Sequence, residues 1–326
     1  MSARRTIALG LAAATAALGA AGCGSTSDQA QWTAHAALAT PVASAPAAAA
    51  STAPTVRCAH PTASLRPPAT LPPPGALRRG SFMARIRRRG RLIAGVDQNT
   101  LLFGYLRPST ARIEGFEIDL VHEVARALLG DPNAVELKAL TTAQRLPAVQ
   151  SGAVDIVVDA VTITCDRRRQ VAFSTVYYHA GQRVLVPSSS RARSLADLRG
   201  KRVCATKGST TIQRIERDPA KPVPYGVDQR TDCLVALQEG RVAAISSDDA
   251  ILLGFKAQDP NTKIVGPRLA DEPYGMAINR GHPEFVRFVN GVLARLRDDG
   301  RWKTIHRRWL GPFAPTPAPP RPSYSD

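Results

Sequence analysis

The sequence predicts an α/β protein whose sheets are mostly parallel. Across residues 81–310, short apolar runs that suit buried strands alternate with segments whose apolar residues recur at helical spacing. Serine or threonine precedes several of the helical segments and glycine follows some of them, as is common at helix caps. Alternation of this kind is typical of parallel strands that are joined by crossover helices.

The first elements follow from apolar spacing. The run at residues 91–96 predicts a buried strand. A helix follows Gly115, because apolar residues recur every four positions up to Leu128 and Gly130 is a suitable C-cap. The later elements keep the alternation: strands at 154–158, 183–186, 202–205, 243–246 and 276–279, and helices at 194–198, 210–217, 231–239, from 248, at 283–297 and at 302–309.

The N-terminus predicts export. Arg4 and Arg5 precede an uncharged Ala/Leu/Gly run, which is short for a membrane span and typical of a signal peptide at residues 1–22. The small residues before Cys23 resemble a bacterial lipobox, which implies an acylated Cys23 and a chain anchored to the outer face of the cell membrane. Ala20 stands where that motif usually has leucine, and ordinary secretion with a free Cys23 thiol is the alternative.

Two segments outside the predicted domain are rich in proline. Residues 23–80 also abound in alanine, serine and threonine, which favour extended chain, so we expect a lipid-anchored tether. Residues 312–326 are expected to form a disordered tail.

Composition and motifs exclude several classes of function. The net charge is +17, but the basic residues are scattered and aromatics make up 5%, so no nucleic-acid groove is predicted. The chain has no HExxH, no GxSxG and no GxGxxG after a strand. We therefore expect a binding protein without a metal or cofactor, and not an enzyme.

Polar residues cluster where predicted strands end. Thr162 and Arg167 follow one strand, and a guanidinium beside hydroxyls suits a carboxylate. Ser209 and Thr210 open a helix, whose backbone amides favour an anion, and Asp248 after a third strand suits an ammonium. A zwitterion needs both kinds of partner. An exposed charged face at Arg167 and a plain N-cap at Asp248 are the alternatives, and spacing alone does not decide between them.

A series of motifs supports the binding hypothesis. In chain order they are GFEIDL at 115–120, RLPAVQSG at 145–152, VDI at 154–156, TIT at 162–164, FS at 173–174, LRGK at 198–201, KGST at 207–210, EPYG at 272–275 and DGRW at 299–302. Together they resemble family 3 solute-binding proteins, the polar amino-acid receptors of ABC importers. DCLVALQ at 232–238, SDD at 247–249 and RFVN at 287–290 further resemble the glutamine/glutamate-binding lipoproteins of mycobacteria and related actinobacteria.

The resemblance implies a two-lobe type II periplasmic-binding-protein fold, with two hinge crossings and a ligand cleft between the lobes. Residues 81–183 and 274–311 would form the first lobe, and residues 184–273 the second. The lobes of a monomer would close over the ligand by hinge motion.

The resemblance also implies residue roles. Arg167 corresponds to the residue that binds the ligand α-carboxylate, Thr162 to a contact with the ligand main chain, and Asp248 to the acceptor for the α-ammonium. Ser209 and Thr210 correspond to a second-lobe loop that donates to the carboxylate.

Three further positions bear on the ligand side chain. Asp97 corresponds to a pocket-lining residue, and Arg145 to an arginine that binds the distal carboxylate in glutamate/aspartate receptors. Thr142 replaces an aromatic residue of the glutamine receptor, and Ala160 replaces a glycine. Arg145 without that aromatic favours an acidic ligand, whereas a surface helix position is the alternative for Arg145.

Four cysteines remain after Cys23, and they allow three pairings in an oxidising compartment. The resemblance implies that Cys204 pairs with Cys233, which leaves Cys58 with Cys165.

Three functions are therefore considered. The first is binding of glutamate, aspartate, glutamine or asparagine for uptake by an ABC permease. The alternative is an amino-acid sensor that presents its loaded state to a membrane signalling protein. The third is a periplasmic dehydratase of the same fold, for which Asp97 is the candidate general acid.

Overall fold

The described part of the chain, residues 57–325 of a computed structural model, folds into two α/β lobes and confirms the predicted class. Its helices are α1 (Phe82–Arg89), α2 (Phe116–Leu129), α3 (Arg145–Gln150), α4 (Cys165–Gln170), α5 (Thr210–Arg217), α6 (Arg230–Gln238), α7 (Asp249–Gln258), α8 (Pro283–Asp298) and α9 (Arg301–Trp309). Its strands are β1 (Leu92–Val96), β2 (Asn99–Thr100), β3 (Gly104–Arg107), β4 (Arg112–Glu114), β5 (Val135–Ala139), β6 (Ile156–Val157), β7 (Ala172–Phe173), β8 (Tyr178–Pro187), β9 (Arg202–Thr206), β10 (Val223–Val227), β11 (Ala244–Asp248), β12 (Thr262–Tyr274) and β13 (Ala277–Ile278). The predicted signal peptide and Cys23 lie outside the described residues.

Each lobe is built on one five-stranded sheet. The first sheet has the order β5-β1-β6-β13-β7, and the second has the order β10-β9-β11-β8-β12. In the first sheet, β1 is parallel to β5 and β6, whereas β13 is antiparallel to both its neighbours. In the second sheet, β9 is parallel to β10 and β11, and β8 is antiparallel. The sheets are therefore mixed and not mostly parallel as the alternation predicted, because strands next to the lobe crossings run against the others.

Two long strands carry the chain between the lobes. β8 pairs with β12 from Tyr178 opposite Tyr274 to Pro187 opposite Thr262. β7 of the first sheet precedes β8, and β13 of the first sheet follows β12. The chain therefore enters and leaves the second lobe through this pair, which forms the two hinge crossings.

The end of the predicted tether is not free chain. The Ser64 hydroxyl donates to the Phe173 carbonyl at 2.7 Å, and the Asn290 amide donates to Leu65 O at 2.7 Å. Leu71 packs against the first-lobe core and beside Gly291 of α8. Composition predicted extended chain here, but a few leucines among the prolines have a lobe surface to bury against.

The proline-rich C-terminus also differs from the prediction of a disordered tail. Tyr324 forms a β-bridge with Ser64, and Ser325 N donates to Ser64 O at 3.1 Å. Pro315, Pro317 and Pro320 line a cavity with the aromatic side chain of Trp302. Prolines are already restricted in the unfolded chain, so fixing them on an aromatic surface costs little conformational entropy.

The described structure contains both expected disulfides. Cys58 is bonded to Cys165 with a Cα–Cα distance of 5.7 Å, and Cys204 to Cys233 with 5.5 Å. The first bond fastens the N-terminal segment to the start of α4, and the second joins β9 to α6. No helix between residues 57 and 325 combines the length and apolarity that crossing a bilayer requires.

Loss of the second disulfide should destabilise the protein measurably. The bond closes a chain separation of 29 residues, and loop entropy predicts that Cys204→Ala with Cys233→Ala lowers the free energy of unfolding by about 3–4 kcal/mol. Denaturant titration of the variant and the parent measures the difference. Mass spectrometry without reductant should find both bonds in the parent. An unchanged unfolding midpoint, or free thiols at these cysteines, would contradict the prediction.

Candidate ligand-binding site

The carboxyl ends of strands from both sheets meet between the lobes. Loops after β6, β9 and β11 enclose a small cavity, as expected at the strand ends of α/β sheets. It is lined by Thr142, Arg145, Ala160, Thr162, Thr206, Ser209, Thr210, Thr211, Arg230, Ser247, Asp248 and Ile251. Arg167 lies in the adjoining cleft, which shares Thr210 with the cavity. Residues predicted from separate parts of the sequence therefore come together in the fold.

Arg167 is a buried cation. The Thr164 hydroxyl caps α4 by accepting from Arg167 N at 3.2 Å, which places Arg167 in the first turn. Its guanidinium donates to Thr162 O at 2.9 Å and, across the lobes, to Gly208 O at 3.2 Å. Burial lowers its pKa to about 10, so the group remains charged at neutral pH. Only 8% of Arg167 is exposed, which excludes the exposed charged face considered as an alternative.

Arg145 is a second buried cation. Its guanidinium donates to three backbone carbonyls: Thr142 O at 2.9 Å, Asp159 O at 2.7 Å and Ala160 O at 2.9 Å. It is 3% exposed, which excludes the alternative of a surface helix position. Burial lowers its pKa, with the Asp159 carboxylate opposing that shift. Among residues 57–325, neither Arg145 nor Arg167 forms a salt bridge within 4.0 Å.

Asp248 ends β11 and is a buried acceptor. The Tyr274 hydroxyl donates to Oδ2, whereas Oδ1 is buried and has no hydrogen-bond partner in the described part of the chain. Asp248 is the N-cap residue of α7, but within the described chain its side chain makes no capping hydrogen bond to that helix. Burial raises its pKa to about 7, and the nearby Glu272 carboxylate contributes to that shift. The Thr142 hydroxyl is likewise buried without a partner.

The second-lobe loop is held by its own hydroxyls. Ser209 Oγ caps α5 by accepting from Ile212 N at 3.1 Å and donates to Thr206 O at 2.7 Å. Thr210 Oγ1 donates to Glu272 Oε2 at 2.8 Å. The hydroxyls predicted as ligand donors therefore have protein partners in this structure, and Ser209 also fixes the start of α5.

Asp97 does not line the cavity. Its carboxylate accepts from Gln98 N at 2.7 Å and Asn99 N at 2.9 Å, and it forms a salt bridge with Arg230. Arg230 also bonds to Asp159 Oδ1 at 2.8 Å. Because Asp97 and Asp159 belong to the first lobe and Arg230 to the second, this cluster joins the closed lobes.

The loop after β6 is fixed by another buried carboxylate. Glu117 of α2 accepts from Ala160 N at 2.7 Å and from the Tyr177 hydroxyl. Its burial raises its pKa to about 7. Ala160 has a φ of +45°, a conformation that glycine adopts more easily.

Sequence reasoning missed Arg230, Asp159, Glu272 and Tyr274. Asp159 directly follows the predicted strand at 154–158, so its position at a strand end was an available signal. No local pattern relates Arg230 to Asp159, because 71 residues separate them in the chain.

The chain is similar in sequence and in fold to known solute-binding proteins. The family model of bacterial extracellular solute-binding proteins, family 3, matches residues 92–312. The ABC transporter glutamine-binding protein of Bacillus subtilis (strain 168) is 34% identical over 229 residues, which cover 70% of this chain and 84% of that protein. The glutamate/aspartate import solute-binding protein of Salmonella typhimurium is 26% identical over 258 residues, covering 76% and 84%. The structure of an ancestral arginine-binding protein bound to glutamine has a TM-score of 0.65 and 34% identity, covering 68% and 99%.

Proposed function

The chain belongs to the bacterial extracellular solute-binding proteins of family 3, and on that premise we propose that it binds a polar or acidic amino acid between its lobes. The observation that carries the proposal is the charge balance of the cleft. Arg145 and Arg167 are buried without a carboxylate within 4.0 Å in the described structure, and Asp248 Oδ1 is buried without a partner. Buried charges are costly unless paired, so the site is complementary to a ligand with both signs of charge.

The two ends of the ligand backbone have separate partners. Arg167 offers a planar guanidinium to the α-carboxylate, with Thr162 on the same loop. Asp248 offers Oδ1 to the α-ammonium from the second lobe. Because these residues come from different lobes, a ligand that engages both favours the closed form.

Arg145 sets the preference for the ligand side chain. Its hydrogen-bond partners are carbonyl oxygens, and among residues 57–325 the Asp159 carboxylate favours its charge only from beyond salt-bridge distance. A distal carboxylate pairs with this charge, whereas an amide accepts a hydrogen bond without neutralising it. We infer that glutamate or aspartate binds more tightly than glutamine or asparagine.

The proposed role is delivery of the ligand to an ABC permease from a lipid anchor at Cys23. Uptake is supported by the relatives, which include an ABC transporter glutamine-binding protein and a glutamate/aspartate import solute-binding protein. Binding leaves the ligand unchanged in this proposal. Asp97, the candidate acid of the dehydratase hypothesis, accepts from two amides and pairs with Arg230.

A thermal-shift screen tests the binding proposal. A ligand that binds only the native protein raises its Tm by mass action. At a ligand concentration about a hundredfold above Kd, the free energy of unfolding increases by about 2.7 kcal/mol. Glutamate and aspartate should give the largest shifts, glutamine and asparagine smaller ones, and branched apolar amino acids none. No shift with any amino acid would overturn the proposal.

Radiolabelled palmitate tests the anchor in the expressing bacterium. The parent chain should incorporate the label and sediment with membranes, and Cys23→Ser should do neither. Label on the serine variant would contradict acylation at Cys23.

Ligand affinity should fall as the pH is lowered through neutrality. Burial and Glu272 raise the Asp248 pKa to about 7 without ligand, and a bound ammonium lowers it by favouring the carboxylate. Binding then releases a proton, so affinity is greatest above the ligand-free pKa and falls up to about tenfold per pH unit below it. Calorimetry in buffers of different ionisation enthalpy measures how many protons are released when the ligand binds. An affinity that is constant across this range, or proton release that persists in Asp248→Asn, would contradict this origin.

A further inference from the structure

Arg230 places a cation from the second lobe against two carboxylates of the first. It begins α6 and is 7% exposed, and one guanidinium nitrogen contacts Asp97 and also Asp159 Oδ1 at 2.8 Å. Asp97 is 2% exposed and Asp159 is fully buried. Arg230 also lines the ligand cavity. A guanidinium of the protein itself is therefore held by a buried acidic pair beside the bound-ligand position.

A buried pair of carboxylates is what a basic ligand side chain would need. Within residues 57–325, Asp159 Oδ2 is buried without a hydrogen-bond partner, so the acidic pair retains an acceptor that Arg230 leaves unused. We propose that Arg230 occupies the place of a basic ligand side chain and thereby excludes arginine and lysine from the cleft. This inference rests on the proposed amino-acid binding and names the residue that determines its selectivity against cations.

The exclusion is both steric and electrostatic. Arg230 fills the space between the acidic pair and the cavity, and it neutralises part of their charge. Arg145 also lines the cavity, so a cationic ligand side chain would meet two positive charges there. Without Arg230, Asp97 and Asp159 would face the cavity with two uncompensated negative charges.

Removing the side chain should therefore admit basic amino acids. In calorimetry with the purified full chain, Arg230→Ala should bind arginine at least about tenfold more tightly than the parent, because like-charge contacts cost several kcal/mol. Glutamate affinity should fall in the same variant. Arg230→Lys keeps the positive charge and should continue to exclude arginine.

Matched variants separate this role from a structural latch. The double variant with Asp159→Asn and Arg230→Ala has the same space where the Arg230 side chain lay, but one carboxylate fewer. It should therefore lose most of the increase in arginine affinity that Arg230→Ala alone produces. Arg199→Ala removes an exposed arginine of the second lobe and should alter neither affinity. If Arg230 only stabilises the closed form of the two lobes, Arg230→Ala should bind every ligand more weakly, arginine included.

The outcomes are distinguishable. If the parent binds glutamate or glutamine and Arg230→Ala gains no affinity for arginine, the inference is wrong and the proposed function stands. A parent that binds no amino acid overturns the proposed function itself. If circular dichroism shows that Arg230→Ala is unfolded, Arg230→Gln keeps a hydrogen bond to Asp159 without the charge. That variant must then show the gain for arginine, and its absence would refute the inference.

Discussion

Arg167→Ala should abolish detectable binding of amino acids. The side chain is buried and stays charged, and among the described residues its hydrogen-bond partners are backbone carbonyls only, which leaves its charge for the ligand α-carboxylate. Truncating one member of a buried, hydrogen-bonded charge pair costs about 2–5 kcal/mol, so we expect affinity to fall by about thirtyfold to several thousandfold. Calorimetry with glutamate and glutamine measures it, and both ligands should be affected equally because both carry the same α-carboxylate.

Arg169→Ala is the matched control on the same helix. Arg169 is exposed and pairs with Asp166 of its own turn at 2.7 Å, so its loss should leave affinity unchanged. Loss of binding in both variants would point to a damaged helix α4 and not to a specific contact. Near-normal affinity in Arg167→Ala would refute the assigned role of Arg167.

Local sequence patterns predicted much of the fold because the relevant forces are local. Apolar runs gave β1, β9 and β11, and the Ser209 position gave the start of α5. The hairpin strands β2 to β4 and the edge strand β5 were not predicted. β5 is only partly buried along its length, so its sequence, VELKA, has no apolar run. The pairing partners of such strands supply most of their stability.

The cluster around Arg230 shows what the sequence could not give. Its helix was predicted over residues 231–239, but Gln229 caps it through a capping box with Asp232, and Arg230 becomes the first helical residue. With the helix beginning earlier than predicted, Arg230 lies in its first turn and not in a loop, and its side chain is held against the other lobe. Its two partners lie 133 and 71 residues away, and no local spacing encodes such a contact.

Arg145→Ala should reduce the preference for acidic ligands. In the parent, the buried guanidinium is available to neutralise a distal carboxylate, whereas an amide gains only a hydrogen bond. We expect the ratio of glutamate to glutamine affinity to fall by about tenfold or more, since a hydrogen bond to a charged group contributes about 1.5–3 kcal/mol. Calorimetry with both ligands gives the ratio.

The ratio of glutamate affinity to glutamine affinity is insensitive to structural effects of the substitution that weaken both ligands alike. Arg145 also fastens Thr142, Asp159 and Ala160 through their carbonyls, so its loss will loosen the cavity and weaken every ligand. That shared loss cancels when glutamate is compared with glutamine in the same variant. Arg145→Lys keeps the charge with fewer donors and should retain part of the preference for the acid. If Arg145→Ala lowers the affinities for glutamate and for glutamine equally, Arg145 only supports the loop, and another cation binds the ligand side chain.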